Sequence, residues 1–324
     1  MKLLIVHFSW GPLDQLLLSY VSHALNELQA EYRTCPYDRA RELNEWWHPE
    51  LTVFFKPHFD FTPEMAKDFK VHTVIWDFEA PYEIDTLVNN ANFIGHCLTP
   101  DLNSFKTLQS RGLYQNRLHY SPYACDPLVH REIDWNYETK PAYPYRSDIC
   151  FVGNAMPTRI KFFEQQATFL SDYKVTIVGI GYRGLAGYRH QNIIHDYISM
   201  DEAVRYFNGA KINLNLFRSK DDCHFAEDTF NLQPLSPNCR TFEVAACGKT
   251  QICDNTRNPE LQNLFGDSIV TFDPDKPESF QEKFTELMQN KTRREELAKN
   301  AKAIALSKHT YQSRISEHLY HLLA

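Results

Sequence analysis

No apolar stretch in the 324 residues approaches the roughly 18 needed to cross a bilayer as a helix, so no transmembrane span is expected. The apolar start Met1-Lys-Leu-Leu-Ile-Val-His-Phe8 is short, and no small-residue cleavage site follows it. It reads as a buried first strand rather than a secretion signal. Basic blocks are missing too. With a net charge of −7, duplex nucleic acid is not expected as the main partner, although an enzyme acting on nucleic acid stays open. The eight cysteines (35, 97, 125, 150, 223, 239, 247 and 253) show no CxxC or other metal spacing, and the 14 histidines form no HExxH or comparable ligand set. Reduced thiols in a cytoplasm are the expectation. Low-complexity segments and nameable repeats are absent. Gly179-Ile-Gly181 lacks the rest of a dinucleotide fingerprint, which leaves it as a loop.

Present instead is an alternation of short apolar runs with longer helical patterns, the signature of parallel α/β architecture. The chain length favours two domains. Strands are expected at 2–8, 51–56, 71–77, 92–98 and 118–123. A second series follows at 148–153, 174–179, 192–195, 211–217, 250–254 and 268–272. Two such series back to back imply two Rossmann-like domains, with the Pro- and Tyr-rich segment 126–145 as linker. From Pro277 to Ala324 the pattern is helical.

The segment Arg240-Thr-Phe-Glu-Val-Ala-Ala-Cys-Gly248 reads as a short helix that stops at a left-handed glycine and drops into a buried strand. Glu243 is the anomaly within it. A carboxylate in a small, apolar element is costly to bury unless something hydrogen-bonds it, and the paired hydroxyls of a ribose suit that role. The alternative is an ordinary solvated glutamate. Ligands of such domains bind at the carboxyl ends of the strands, so those loops hold the candidates. Gly153 and Asn154 end one strand; Arg159 follows and could clamp a phosphate. Asp77 and Glu79 end another, where strand alternation would point both carboxylates the same way. The alternatives there are that Asp77 caps the next turn and that Glu79 pairs with a basic side chain. Asp221-Asp222 resembles a metal-binding pair but reads as part of a mobile loop, 218–237, long enough to fold over a ligand.

Four ordered motifs carry a resemblance: Phe151-Val-Gly-Asn154 with Arg159, Tyr206-Phe-Asn-Gly-Ala-Lys-Ile-Asn-Leu-Asn215, Arg240–Gly248, and His309-Thr-Tyr-Gln-Ser-Arg314. Together they look like the CgeB-type (spore-maturation) glycosyltransferases over about half of the chain. Trp76–Glu83 and Tyr120–Pro127 match more loosely. The resemblance implies a GT-B fold, two Rossmann-like domains facing across a cleft: an acceptor-side domain (1–135), a nucleotide-sugar domain (136–305) and a C-terminal helix returning to the first (306–324).

It implies a donor held by Glu243 at the ribose and Arg159 at the diphosphate. Backbone N–H groups of the turn Asn238-Cys239-Arg240 would assist at the phosphates. Tyr197 would line the base pocket, or simply pack. Glu79, ahead of Asp77, would act as the catalytic carboxylate. Trp10 and Gly11 would line the acceptor side. Many retaining GT-B enzymes carry two glutamates with seven residues between them, and Leu235 stands where the first would be. The expected activity is hexose transfer from a nucleotide sugar, UDP-glucose first and with retention preferred. The acceptor would be a hydroxyl of a polysaccharide or a lipid-linked sugar, the latter bringing peripheral membrane contact. No metal or other cofactor is expected. Rival readings are a UDP-sugar epimerase of GT-B fold and a non-catalytic nucleotide-sugar-binding protein.

Overall fold

A parallel β-sheet needs helical crossovers that cover both faces, so its strands read as nearly unbroken apolar runs. The chain contains two such sheets. The computed structural model describes residues 2–8, 11–58, 60–67, 69, 72–135, 143–185, 187–188, 192–222 and 229–322. They gather into two compact units: Met1–Tyr123 with Cys223–Ser236 and Thr310–Ala324, and Ala124–Asp222 with Pro237–His309. Each unit holds one six-stranded sheet, parallel at every neighbouring pair.

In the first unit the strands are β1 (Lys2–His7), β2 (Glu31–Pro36), β3 (Leu51–Phe55), β4 (His72–Trp76), β5 (His96–Thr99) and β6 (Leu118–Tyr120), in the order β2-β1-β3-β4-β5-β6. Five of them lie where the apolar runs predict. The unforeseen strand is β2. It is an edge strand whose sequence, Glu31-Tyr-Arg-Thr-Cys-Pro36, buries one side chain, Cys35, and so carries no apolar run. Leu4, Val6, Phe54, Ile75 and Cys97 share the core.

The C-terminal segment completes this unit. The buried Tyr311 ring lies 5.7 Å from Tyr20 and 6.4 Å from Trp76, and the Arg314 Nε donates to the Pro122 carbonyl at 2.8 Å.

The segment 229–236 also belongs to the first unit, where the sequence suggested a mobile loop over a ligand. Its anchor is the buried carboxylate of Asp101, which caps the helix Leu102–Ser110 through the N–H groups of Asn103 and Ser104 (2.9 and 3.0 Å). The same carboxylate accepts the N–H groups of Leu235 and Ser236 at 2.8 and 3.0 Å. Thr229 bonds Asp85, and Phe230 and Leu232 pack on the core.

The second unit is built from β7 (Ser147–Val152), β8 (Val175–Val178), β9 (Asn192–Ile194), β10 (Ala210–Asn215), β11 (Gln251–Asp254) and β12 (Val270–Phe272), in the order β12-β11-β10-β7-β8-β9. All six match the expected series. Strand alternation divides β7 between two cores. Ile149 and Phe151 face Phe162, Phe163 and Phe280, whereas Cys150 and Val152 face Val204, Phe207 and Val244. The helix Cys239–Ala246 is buried from Thr241 onward and stops at Gly248, whose φ of +64° is the left-handed cap the sequence predicts.

Chain order reverses once in each sheet, between β1 and β3 and between β7 and β10. At such switch points adjacent strands send their following segments apart, which opens a crevice at the carboxyl edge. Among the described residues no helix is long and apolar enough to cross a membrane.

Asp101 takes four backbone donors, so Asp101→Ala should lower unfolding free energy by about 2–4 kcal/mol. Segment 229–236 should then be cut first in limited proteolysis. Denaturant titration and mapping of the first cleavage site check both outcomes.

Candidate functional site

The switch point of the second unit brings together Gly153 and Asn154 after β7, Arg159, Leu216 after β10, and Arg240. Arg159 is only 7% exposed and lies in the first turn of the helix Pro157–Leu170. Its fork is engaged by backbone: Nε and Nη2 donate to the Leu216 carbonyl at 3.2 and 3.0 Å, and Nη1 to the Asn154 carbonyl at 2.8 Å. It ties the two loops of the switch point together. The Asn154 side chain is exposed to solvent on one side and accepts from Ile180 N–H at 3.2 Å.

Arg240 approaches the same place from the second residue of the helix Cys239–Ala246. A Cβ added at Gly153 would stand 3.0 Å from Arg240 Nη1 and 3.1 Å from the Phe151 ring, so the glycine makes room for the guanidinium. Gly179, with φ +147°, allows its backbone to lie against the Gly153 carbonyl, a position where any Cβ would overlap. Arg240 Nε is buried without a hydrogen-bond partner.

Asn238 caps the Arg240 helix. Its side chain exchanges paired hydrogen bonds of 3.0 Å with Asn215 at the end of β10 and accepts from Thr241 N–H. The first two N–H groups of the helix, those of Cys239 and Arg240, have no intrahelical acceptor, as at any helix start.

Glu243 lies in this helix at 3% exposure, and its Oε2 has no hydrogen-bond partner. Solvation is therefore not what keeps a carboxylate here. Cys239 and Cys247, one turn to either side, are pushed upward by burial first and then by the Glu243 charge, so both stay as neutral thiols. The buried His130 also feels that charge, although burial dominates and lowers its pKa. Tyr197 follows β9 with its ring 70% exposed, which rules out ordinary packing. Asp222 does not wait for a cation: it caps the Arg159 helix through Thr158 and accepts Ser219 N–H at 2.8 Å. Among the described residues no three His, Cys, Asp or Glu side chains gather as a metal site.

In the first unit the switch point holds a charged cluster. Asp77 follows β4 and is buried. It turns into its own loop, accepting Glu79 N–H at 2.8 Å and Ala80 N–H at 3.2 Å. Burial, then the nearby charges of Glu79 and Glu83, push it up to about 7 against the pull of those N–H groups.

Glu79 lies within the turn that Asp77 closes, past the end of the strand. It stays 22% exposed and pairs through Oε1 with Lys56 Nζ at 2.7 Å. Lys56 also pairs with Asp14, in the helix Pro12–Glu27 that follows β1. His58 sits 3.3 Å from Glu83. Gly11 precedes that helix in extended backbone that any residue adopts. A Cβ there would lie 3.8 Å from the Asp14 Oδ2. Trp10 lies outside the described residues. The sequence reading missed Asp14, Lys56, His58 and Glu83. Their one available signal was position just past β1, β3 and β4.

With this geometry in place, comparison with known proteins is informative. A family model described as "Glycosyl transferase-like" matches residues 159–319, about half of the chain. The spore protein CgeB of Bacillus subtilis (strain 168) is 24% identical over 267 residues, covering 78% of this chain and 80% of that protein. Among solved structures, Anabaena HepE in complex with UDP and glucose superposes with a TM-score of 0.68 at 11% identity, over 99% of each chain. An α-glucosyltransferase in complex with UDP and a 13-mer DNA containing an HMU base gives 0.69 at 12% identity, over 100% of this chain and 99% of that one. At such identities the structural likeness shows the fold, which is GT-B. Residues 159–319 belong to the glycosyl transferase-like family, and the chain as a whole is similar to the spore protein CgeB.

Proposed function

We propose that the protein transfers a hexose from a nucleoside diphosphate sugar, UDP-glucose first, to the hydroxyl of a polysaccharide or lipid-linked acceptor, with retention and without a metal ion. The observation that carries the reading is Glu243: a buried carboxylate with an open oxygen, in the helix that also presents Arg240 at a switch point. An unpaired buried acceptor costs about 1–3 kcal/mol, and the paired hydroxyls of a ribose would remove that cost. The diphosphate would lie against the helix start at Asn238, Cys239 and Arg240, where N–H groups and the helix dipole favour negative charge. Arg240 would supply the positive charge otherwise brought by a metal. Arg159, committed to two carbonyls, would shape the loops around the diphosphate rather than grip it. The exposed Tyr197 ring is free to stack on the base. UDP and glucose bound by Anabaena HepE support trying UDP-glucose first. The seven described cysteines are all free and six are buried, which supports work in a reducing compartment.

On the acceptor side Glu79 would accept the hydrogen bond of the attacking hydroxyl. As the anomeric carbon–oxygen bond to the diphosphate breaks and the new glycosidic bond forms, the hydroxyl proton passes to the departing UDP. Asp77, closed onto its own turn, would shape the loop that presents Glu79.

Calorimetric titration with UDP, GDP, ADP and TDP, with and without EDTA, tests the reading. One nucleotide should bind, and EDTA should not change its affinity; binding of none would sink the proposal. Glu243→Ala should weaken that binding by about 2 kcal/mol, roughly thirtyfold. Gly153→Ala should displace Arg240 and weaken UDP more than uridine, a difference the same titration reads.

Asp77→Asn should keep turnover within a fewfold of wild type. Because the folded carboxyl holds its proton up to about pH 7 and an unfolded one only to about 4, wild-type stability falls as pH rises through that window. The variant should therefore gain about 2–4 kcal/mol on wild type between pH 4 and 7, as read by melting temperature against pH.

A further inference from the structure

Lys56 is the most expensive group in the first unit to leave unexplained. It is 5% exposed, and its φ of +49° is uncommon for a residue with a side chain. Its N–H donates to the Trp76 carbonyl at 2.8 Å, which fixes the residue just past β3. From there one ammonium reaches across the β1/β3 switch point to Asp14 and sideways to Glu79 at 2.7 Å. Three loops at the carboxyl edge, those after β1, β3 and β4, are joined by a single charge.

The groups facing that ammonium come from every element around it. They are Asp14 from the helix after β1, His58 from its own loop (Nε2 at 3.5 Å from Nζ) and Glu79 from the loop after β4; Glu83 pairs with His58, and its charge, like that of Glu79, reaches Asp77. Burial alone would lower the Lys56 pKa, but Glu79 and Asp14 outweigh it and raise the pKa, so the ammonium persists. Stability alone does not call for this arrangement, because buried ion pairs are often replaceable by apolar residues at little cost. What an apolar residue could not do is hold a partly exposed carboxylate charged and aimed.

We propose that Lys56 is a positioning residue: its ammonium, steadied by Asp14, grips one oxygen of Glu79 and leaves the other to receive the acceptor hydroxyl. This rests on Glu79 being the acceptor-side carboxylate. Removing the ammonium would leave the Asp14 and Glu79 carboxylates without the cation that joins them.

Lys56→Met and Lys56→Arg in the full chain provide the test, with UDP affinity measured by calorimetry and UDP release from UDP-glucose followed across pH. Lys56→Met should keep UDP affinity within about twofold and lower kcat at least tenfold. The acidic limb of its pH–rate profile should move up by about one pH unit. Lys56→Arg should restore the wild-type limb and much of the rate. An unmoved limb in Lys56→Met, or equal loss in both variants, would overturn the proposal. Melting temperatures give a reading independent of turnover. The deficit of Lys56→Met against wild type should widen as pH rises through the carboxylate range, and a constant deficit would also overturn it. A wild type that binds no nucleoside diphosphate defeats the donor reading, and the melting series then decides the role of Lys56 by itself.

Discussion

Parallel strands cannot be joined by tight turns, and this constraint organises both units. Each crossover helix covers a face of its sheet, so the backbone lies open to a ligand at the carboxyl edge, widest where chain order reverses. Both reversals are occupied by a buried cation with more than one acceptor. Between β7 and β10 the cation is Arg159, bound to the carbonyls of Asn154 and Leu216. Between β1 and β3 it is Lys56, bound to Asp14 and Glu79. A crevice that must stay open for a ligand lacks apolar filling, and charged side chains that bridge its walls take over the work of fixing their spacing.

The two cations differ in what they leave available. The arginine faces neutral carbonyls and is spent on the scaffold, whereas the neighbouring Arg240 keeps a buried Nε without a hydrogen-bond partner and has room above Gly153. The lysine faces carboxylates and leaves one of them, Glu79, in contact with solvent. A planar fork suits two carbonyls on separate loops, whereas a compact ammonium can be shared among carboxylates arriving from several directions.

Eleven strands of the fold were legible as short apolar runs, and those inside the sheets are buried along nearly their whole length. The twelfth, β2, lies at a sheet edge with one buried side chain and leaves no such trace. Glu243 was legible as a misfit, a carboxylate among Ala, Val and Phe. The Lys56 cluster was not: Asp14, Lys56 and Glu79 are ordinary surface residue types, and they meet only because three crossovers bring their strands side by side. Asp77 and Glu79 were singled out together, yet period-two reasoning stops where the strand stops, and past Trp76 the first is buried while the second keeps some exposure. Arg159 was expected at a diphosphate. Sequence places its Cα near the glycine loop but says nothing of the two carbonyls that claim its fork.

Tyr311 seated against Tyr20 and Trp76 has a consequence for how the protein is made. The first unit is not one stretch of chain: Phe230 and Leu232 pack against its core, and Tyr311 is buried in it. During synthesis the strands of its sheet, residues 2–120, are made early, but the aromatic contacts of Tyr311 must wait for residue 311. Contacts between segments so far apart in sequence raise the contact order, which slows folding more than it costs stability. The second unit's own two segments lie between residues 124 and 309, so all of its chain has been made before Tyr311 is.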